Sequence, residues 1–110
     1  MSTPDFANAV VGKAKMHDYL LSPTHPAGQS KARFFLQSGF DRKNWQALER
    51  ALIALAQKHP VSRVSNSEFG VKYTIEGLLV TPTAKIVNVR TVWMTDDDVS
   101  PPRFLTAYPL

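Results

Sequence analysis

Five side chains in this 110-residue chain have the chemistry to move protons or grip a phosphate: His25, Glu76, Arg90, Thr106 and Tyr108. A carboxylate can take a proton, a guanidinium can hold a phosphate through two parallel hydrogen bonds, and an imidazole or phenol can return a proton. Transesterification of an RNA phosphodiester needs these groups, with cations facing the charge that develops on the phosphoryl oxygens. Lys31 and Arg33 follow His25 at the start of a predicted helix, and Pro23 and Pro26 stiffen the intervening loop. An imidazole, a helix N-terminus and two cations can together bind a phosphate. Arg103 opens a final run, Arg103 to Pro109, that reads as a strand at the rim of a sheet and adds a further binding cation. Plainer alternatives stand beside these readings. Glu76 and Arg90 also suit an exposed cross-strand ion pair, and His25 a turn residue bonded to nearby backbone.

The elements that must position these groups follow from hydrophobic period. Met16 to Leu21 reads as a helical turn, and Lys31 to Ser38 as a helix capped by Ser30 and ended by Gly39. The clearest helix runs from Asn44 to Lys58, where Trp45, Leu48, Leu52, Leu55 and Ala56 recur at helical spacing before His59-Pro60 stops it. After Pro60 the period becomes 2. Strands are expected over Val61 to Val64, Val71 to Leu79, Ile86 to Met94 and Arg103 to Tyr108, joined by links short enough for antiparallel neighbours. The expected fold is α+β: two or three N-terminal helices, then a four-stranded antiparallel meander packed on the long helix. Residues 1–12 are expected to be a mobile leader, with Phe6 and Val10-Val11 able to dock on the body, and residues 13–110 a single domain.

Alternation places Lys72, Thr74 and Glu76 on the open face of the second strand and Asn88 and Arg90 on that of the third. The last strand is ambiguous, because strict alternation groups Phe104 with Thr106 and Tyr108; we assign Thr106 and Tyr108 to the polar set. His59 suits a helix C-terminus and His17 a surface turn, while Trp45 and Trp93 read as core or sheet-face anchors.

Composition narrows the classes. The chain has no cysteine, which removes disulfides, thiolate metal sites and a cysteine nucleophile. Its longest apolar stretch, Ala51 to Ala56, is far short of the roughly 20 residues that span a bilayer, and its start lacks the basic and apolar regions of a signal peptide. A cytoplasmic protein without membrane contact is expected. The formal charge is +4, yet three of the nine acids crowd into Asp96-Asp97-Asp98, so the body up to Arg90 is more basic than the total. That balance favours polyanions such as RNA, or an acidic protein. No His or carboxylate pattern matches a zinc or calcium site and no glycine-rich loop follows a strand, so neither metal nor cofactor is expected.

Two stretches carry a resemblance: Asp18-Tyr19-Leu20-Leu21-Ser22-Pro23-Thr24-His25-Pro26-Ala27-Gly28 running into Lys31-Ala32-Arg33-Phe34-Phe35, and Thr91-Val92-Trp93 followed by Arg103 to Pro109. Together they resemble an uncharacterised bacterial family of small domains, over about Lys15 to Leu110. The order of helices and sheet is more loosely similar to the barnase, EndoU, colicin and RelE-type group of ribonuclease toxins. That likeness implies His25, Lys31, Arg90, Thr106 and Tyr108 as active positions; the paired helical histidines of EndoU are not reproduced. The expected function is a metal-independent, ribonuclease-like toxin domain. The alternative is a non-enzymatic module, the immunity or regulatory member of a gene pair, that binds a cognate protein or nucleic acid through the polar face.

Overall fold

Leu48, Leu52, Leu55 and Ala56 form one stripe of a 14-residue helix, and the strands that follow Pro60 supply the surface the stripe needs. A computed structural model describes residues 4–97 and 100–110. Its helices are α1 (Lys13–Lys15), which widens into a π turn over Met16–Leu20, α2 (Gln29–Gln37) and α3 (Trp45–Lys58). The strands are β1 (Arg63–Ser67), β2 (Gly70–Val80), β3 (Ile86–Thr95) and β4 (Arg103–Pro109), forming one antiparallel sheet in the order β1-β2-β3-β4. This is the expected α+β meander, with three helices. The α3 stripe packs on the β2 face that carries Tyr73, Ile75 and Leu79. Each buried leucine there contributes about 1.5–3 kcal/mol. The helix stops because His59 is extended (φ −121°, ψ 148°), as a residue before proline must be.

Two boundaries differ from expectation. Helix α2 begins at Gln29 with Gly28 at its N-cap, so Ser30 sits inside the first turn; the His25 carbonyl accepts from the N–H groups of Gly28 (3.1 Å) and Gln29 (2.9 Å) instead. Strand β1 lies at Arg63–Ser67, not Val61 to Val64, and is exposed throughout. Its register comes from the Ser62 N–H bond to the Thr74 carbonyl (2.8 Å), not from an apolar face. The described part of the expected leader packs on the body. Phe6 meets Trp93 and Tyr73 edge-on, with ring centroids 5.4 and 6.3 Å away. Val10 donates to the Pro102 carbonyl and accepts from the Phe104 N–H, both at 2.9 Å. Met1 to Thr3, and Asp98 of the aspartate turn, lie outside the described residues.

Strand β4 contains a bulge. Thr106 stands opposite Val92 but Phe104 opposite Trp93, which leaves Leu105 as the extra residue. Phe104 and Ala107 therefore both reach the core, while Thr106 and Tyr108 emerge on the open face beside Arg90 and Val92. Trp93 is fully buried, its indole N–H donating to Thr91 Oγ1 (2.8 Å), whose hydroxyl donates to the Ile75 carbonyl (2.8 Å). That placement makes Trp93 a core anchor.

Gly77 on β2 leaves room for the ring of His59, which caps α3. A Cβ at Gly77 would lie 2.6 Å from His59 Cγ, and the ring is held by an Nδ1–H bond to the Leu55 carbonyl (2.9 Å). Gly77→Ala is expected to lower stability by about 1–3 kcal/mol despite the usual gain from replacing a strand glycine. Thermal melts of the double variant Gly77→Ala/His59→Ala, compared with each single change, should show that removing the ring recovers most of the loss.

Candidate functional site

The π turn after α1 aims Tyr19 at β4, and nearly every candidate group touches it or lies one step beyond. The Tyr19 phenol oxygen is 2.9 Å from Thr106 Oγ1 and accepts from Lys31 Nζ at 2.7 Å. Lys15 and Lys31 stand 5.4 and 5.3 Å from its ring centroid, and the His25 ring meets it edge-on at 5.1 Å. Gly28 makes this placement possible, since a Cβ there would fall 2.6 Å from the Tyr19 carbonyl oxygen and 2.9 Å from its ring. Lys15 is anchored in turn by the Leu105 carbonyl (3.2 Å), at the bulge residue.

Burial opposes ionisation of the Tyr19 phenol, but the hydrogen bonds from Lys31 and Thr106 and the charges of Lys31 and Lys15 outweigh it and hold its pKa below the ordinary tyrosine value. A lowered acid pKa contributes stability above the unfolded value, near 10, and that contribution is lost as pH falls through the folded value. Below it the phenol is protonated in both states and the shift adds nothing to stability. Its effect is on reactivity.

A second set lies one pleat away, about 7 Å along β4. Glu76, Arg90 and Tyr108 form a single row across β2, β3 and β4. Arg90 Nε donates to Glu76 Oε2, its NH1 points to the Tyr108 hydroxyl (3.4 Å), and its guanidinium carbon is 5.6 Å from the Tyr108 ring centroid. The bonds to Tyr108 and Glu76 raise the Arg90 pKa further, so it is a permanent cation. The Glu76 carboxylate is engaged by that cation and orients it. His25 Nδ1 accepts from the Ala27 N–H (3.1 Å), which leaves Nε2 to carry the proton of the neutral ring.

The structure thus brings Glu76, Arg90, Tyr108 and Thr106 together on one face and joins His25 and Lys31 to them through Tyr19. Arg33 and Arg103 stand apart. Arg33 is exposed and about 200° around α2 from Lys31. Arg103, at the far end of β4, is paired with Asp96 (3.0 Å), which raises its pKa. Tyr19 was not singled out from sequence. Its one local signal is Lys15 four residues earlier on the same helical face; its hydrogen-bond partners lie 12 and 87 residues away. Among the described residues, no group of three His, Asp or Glu side chains gathers to hold a metal, and no helix is long and apolar enough to cross a membrane.

A family model described as a domain of unknown function, DUF6883, matches residues 2–110. The chain belongs to the DUF6883 family. Membership in a family of unknown function agrees with the resemblance read from sequence. No curated protein matches the chain. A solved structure, a contact-dependent growth inhibition toxin–immunity protein complex from Klebsiella pneumoniae 342, contains a chain of similar fold. The identity is 21%, the TM-score 0.71, and 96% of each chain is covered. At that identity the likeness concerns the fold.

If the lysines depress the Tyr19 pKa in this DUF6883 domain, Lys31→Met should move the Tyr19 titration upward and leave Tyr108 in place. Carbon-13 NMR of labelled tyrosine would resolve the two; an unmoved Tyr19 in that variant refutes the electrostatic account.

Proposed function

We propose that this DUF6883 domain is a ribonuclease-type toxin that cleaves RNA phosphodiesters in the cytoplasm without a metal ion. The observation that carries the reading is the Tyr19 phenol, bonded to Lys31 and Thr106 and bracketed by two ammonium groups. Lys31 and Arg90 hold the phosphoryl oxygens. Tyr19, as its phenolate, takes the proton of the ribose 2′-hydroxyl as that oxygen attacks phosphorus, and the 5′-oxygen departs with a proton from the imidazolium form of His25, which is left as the neutral ring whose Nδ1 accepts from the Ala27 N–H. The products are a 2′,3′-cyclic phosphate and a 5′-hydroxyl. Thr106 and Tyr108 orient the substrate, and Glu76 fixes the Arg90 fork. Arg33 and Arg103 lie outside this set and serve at most as distant contacts for the RNA backbone. Fold likeness to a chain from a toxin–immunity complex supports a place in such a system.

The same likeness supports a second reading, in which the domain is the immunity or regulatory partner and the polar face binds a protein or nucleic acid without turnover. Incubating purified protein with total bacterial RNA in chelator separates the two. Cleavage is expected for the wild type. Tyr19→Phe should lose about 10²–10⁴-fold in rate, the range for a proton-transfer group, and Arg90→Ala should fall comparably, with both variants folded by circular dichroism. Intact RNA at high wild-type concentration would overturn the ribonuclease reading in favour of the binding one.

A further inference from the structure

The sheet has two edges, and only one is covered. On β4 the Val10 segment pairs with Pro102 and Phe104 through hydrogen bonds of 2.9 Å, and Lys15 takes the Leu105 carbonyl. On the other side β1 pairs with β2 only from Gly70 to Thr74. Beyond Thr74 no strand among the described residues stands on that side of β2.

The direction of the backbone along that stretch is determined. The Thr74 carbonyl faces outward to Ser62, and the Ile75 carbonyl faces β3, where Thr91 Oγ1 meets it. By alternation Glu76, Leu78 and Val80 turn their N–H and C=O groups away from β3. They form an open ladder about 17 Å long. Its side chains are also uncovered, with Leu78 53% and Val80 63% exposed. Between this edge and α3 runs a groove of about 260 Å³, lined by Arg50, Ala51, Ala54 and Lys58 of α3 and by Leu78 and Val80 of β2. Neither cation makes an ion pair among the described residues.

We propose that the β2 edge from Glu76 to Val80 is a docking site for an extended, acidic strand of a protein partner. Free backbone groups would pair with such a strand, its apolar side chains would lie beside Leu78 and Val80 on the open face, and the intervening carboxylates would turn to the α3 side and meet Arg50 and Lys58 in the groove. An unblunted apolar edge is otherwise a hazard for aggregation, which sheets normally avoid with charge, proline or a covering segment. A second copy is a poorer occupant, since antiparallel pairing of two β2 edges would set the Arg50 and Lys58 pairs of both copies side by side. The proposal does not rest on ribonuclease activity, since edge binding and RNA cleavage are read separately.

The probe is a fluorescein-labelled synthetic peptide of seven residues in which Val and Glu alternate, followed by fluorescence anisotropy. Saturable binding to the wild type is expected. It should weaken by about tenfold or more in Leu78→Pro, which removes an outward donor while leaving the β3 ladder intact, and in Arg50→Glu/Lys58→Glu. A peptide N-methylated at alternate amides should lose binding to the wild-type protein, which keeps the test independent of how Leu78→Pro folds. No saturation by roughly 1 mM peptide, or binding that survives both Leu78→Pro and N-methylation, would overturn the proposal. Concentration-dependent dimerisation that Leu78→Pro abolishes would also overturn it, by assigning the edge to a second copy.

Discussion

Leu105 stands opposite no residue of β3, and that insertion decides which side chains of β4 reach the core. Without it Phe104, Thr106 and Tyr108 would share a face, and either the phenylalanine would be in water or both hydroxyls would be buried. With it Phe104 packs against Trp93 and Ala107 is buried, while Thr106 and Tyr108 emerge beside Arg90. The bulge also leaves a carbonyl to which Lys15 is tied, so the helical layer is fastened to the strand at the place where the strand changes face. Fold and site therefore share one irregularity.

Tyr19 shows how sterics and electrostatics divide the work. Gly28 lets the ring approach the backbone, since any Cβ would collide with it, and the π turn supplies the wide geometry that points the ring toward β4. The two lysines then act on a group already fixed in space. Their charges face a phenol that is partly buried, where screening by water is weaker than on an open surface. Arg90 differs: it lies on the open face and owes its orientation to the flanking Glu76 and Tyr108, so its contribution is a placed charge and not a perturbed acid.

Much of this was legible in the sequence, for physical reasons that differ by element. Leu48, Leu52 and Leu55 lie on an uninterrupted helical period because α3 buries one stripe, against β2, the Phe6 turn and the Met16–Leu20 turn, and leaves its opposite side to solvent. Tyr73, Ile75 and Leu79 alternate with Lys72, Thr74 and Glu76 because β2 has water on one side. Strand β1 was displaced because an exposed edge has no apolar face to announce it, and α2 began early because backbone N–H groups bonded to a carbonyl replaced a side-chain cap. For the site, the row Glu76, Arg90 and Tyr108 followed from alternation once Tyr108 was placed with the polar set. Tyr19 did not, because its meeting with Thr106 is created by tertiary packing and leaves no local pattern. Phe6, read from sequence as able to dock, has no period of its own, and its burial against Trp93 and Tyr73 adds the end of the core.

The pairing of β4 with residues near Val10 has a kinetic meaning. Contacts so distant along the chain close late, because the entropy of the intervening loop is lost before they return any free energy. Tyr19 and Thr106 are separated by 87 positions, so the cluster around the phenol exists only after Arg103–Pro109 has been laid into the sheet. The helices and the β2–β3 hairpin can form first from nearer contacts. During synthesis the chain thus carries its charged groups unassembled until its final strand docks, and any event that lifts that strand alone disperses the site while the helical layer and hairpin remain.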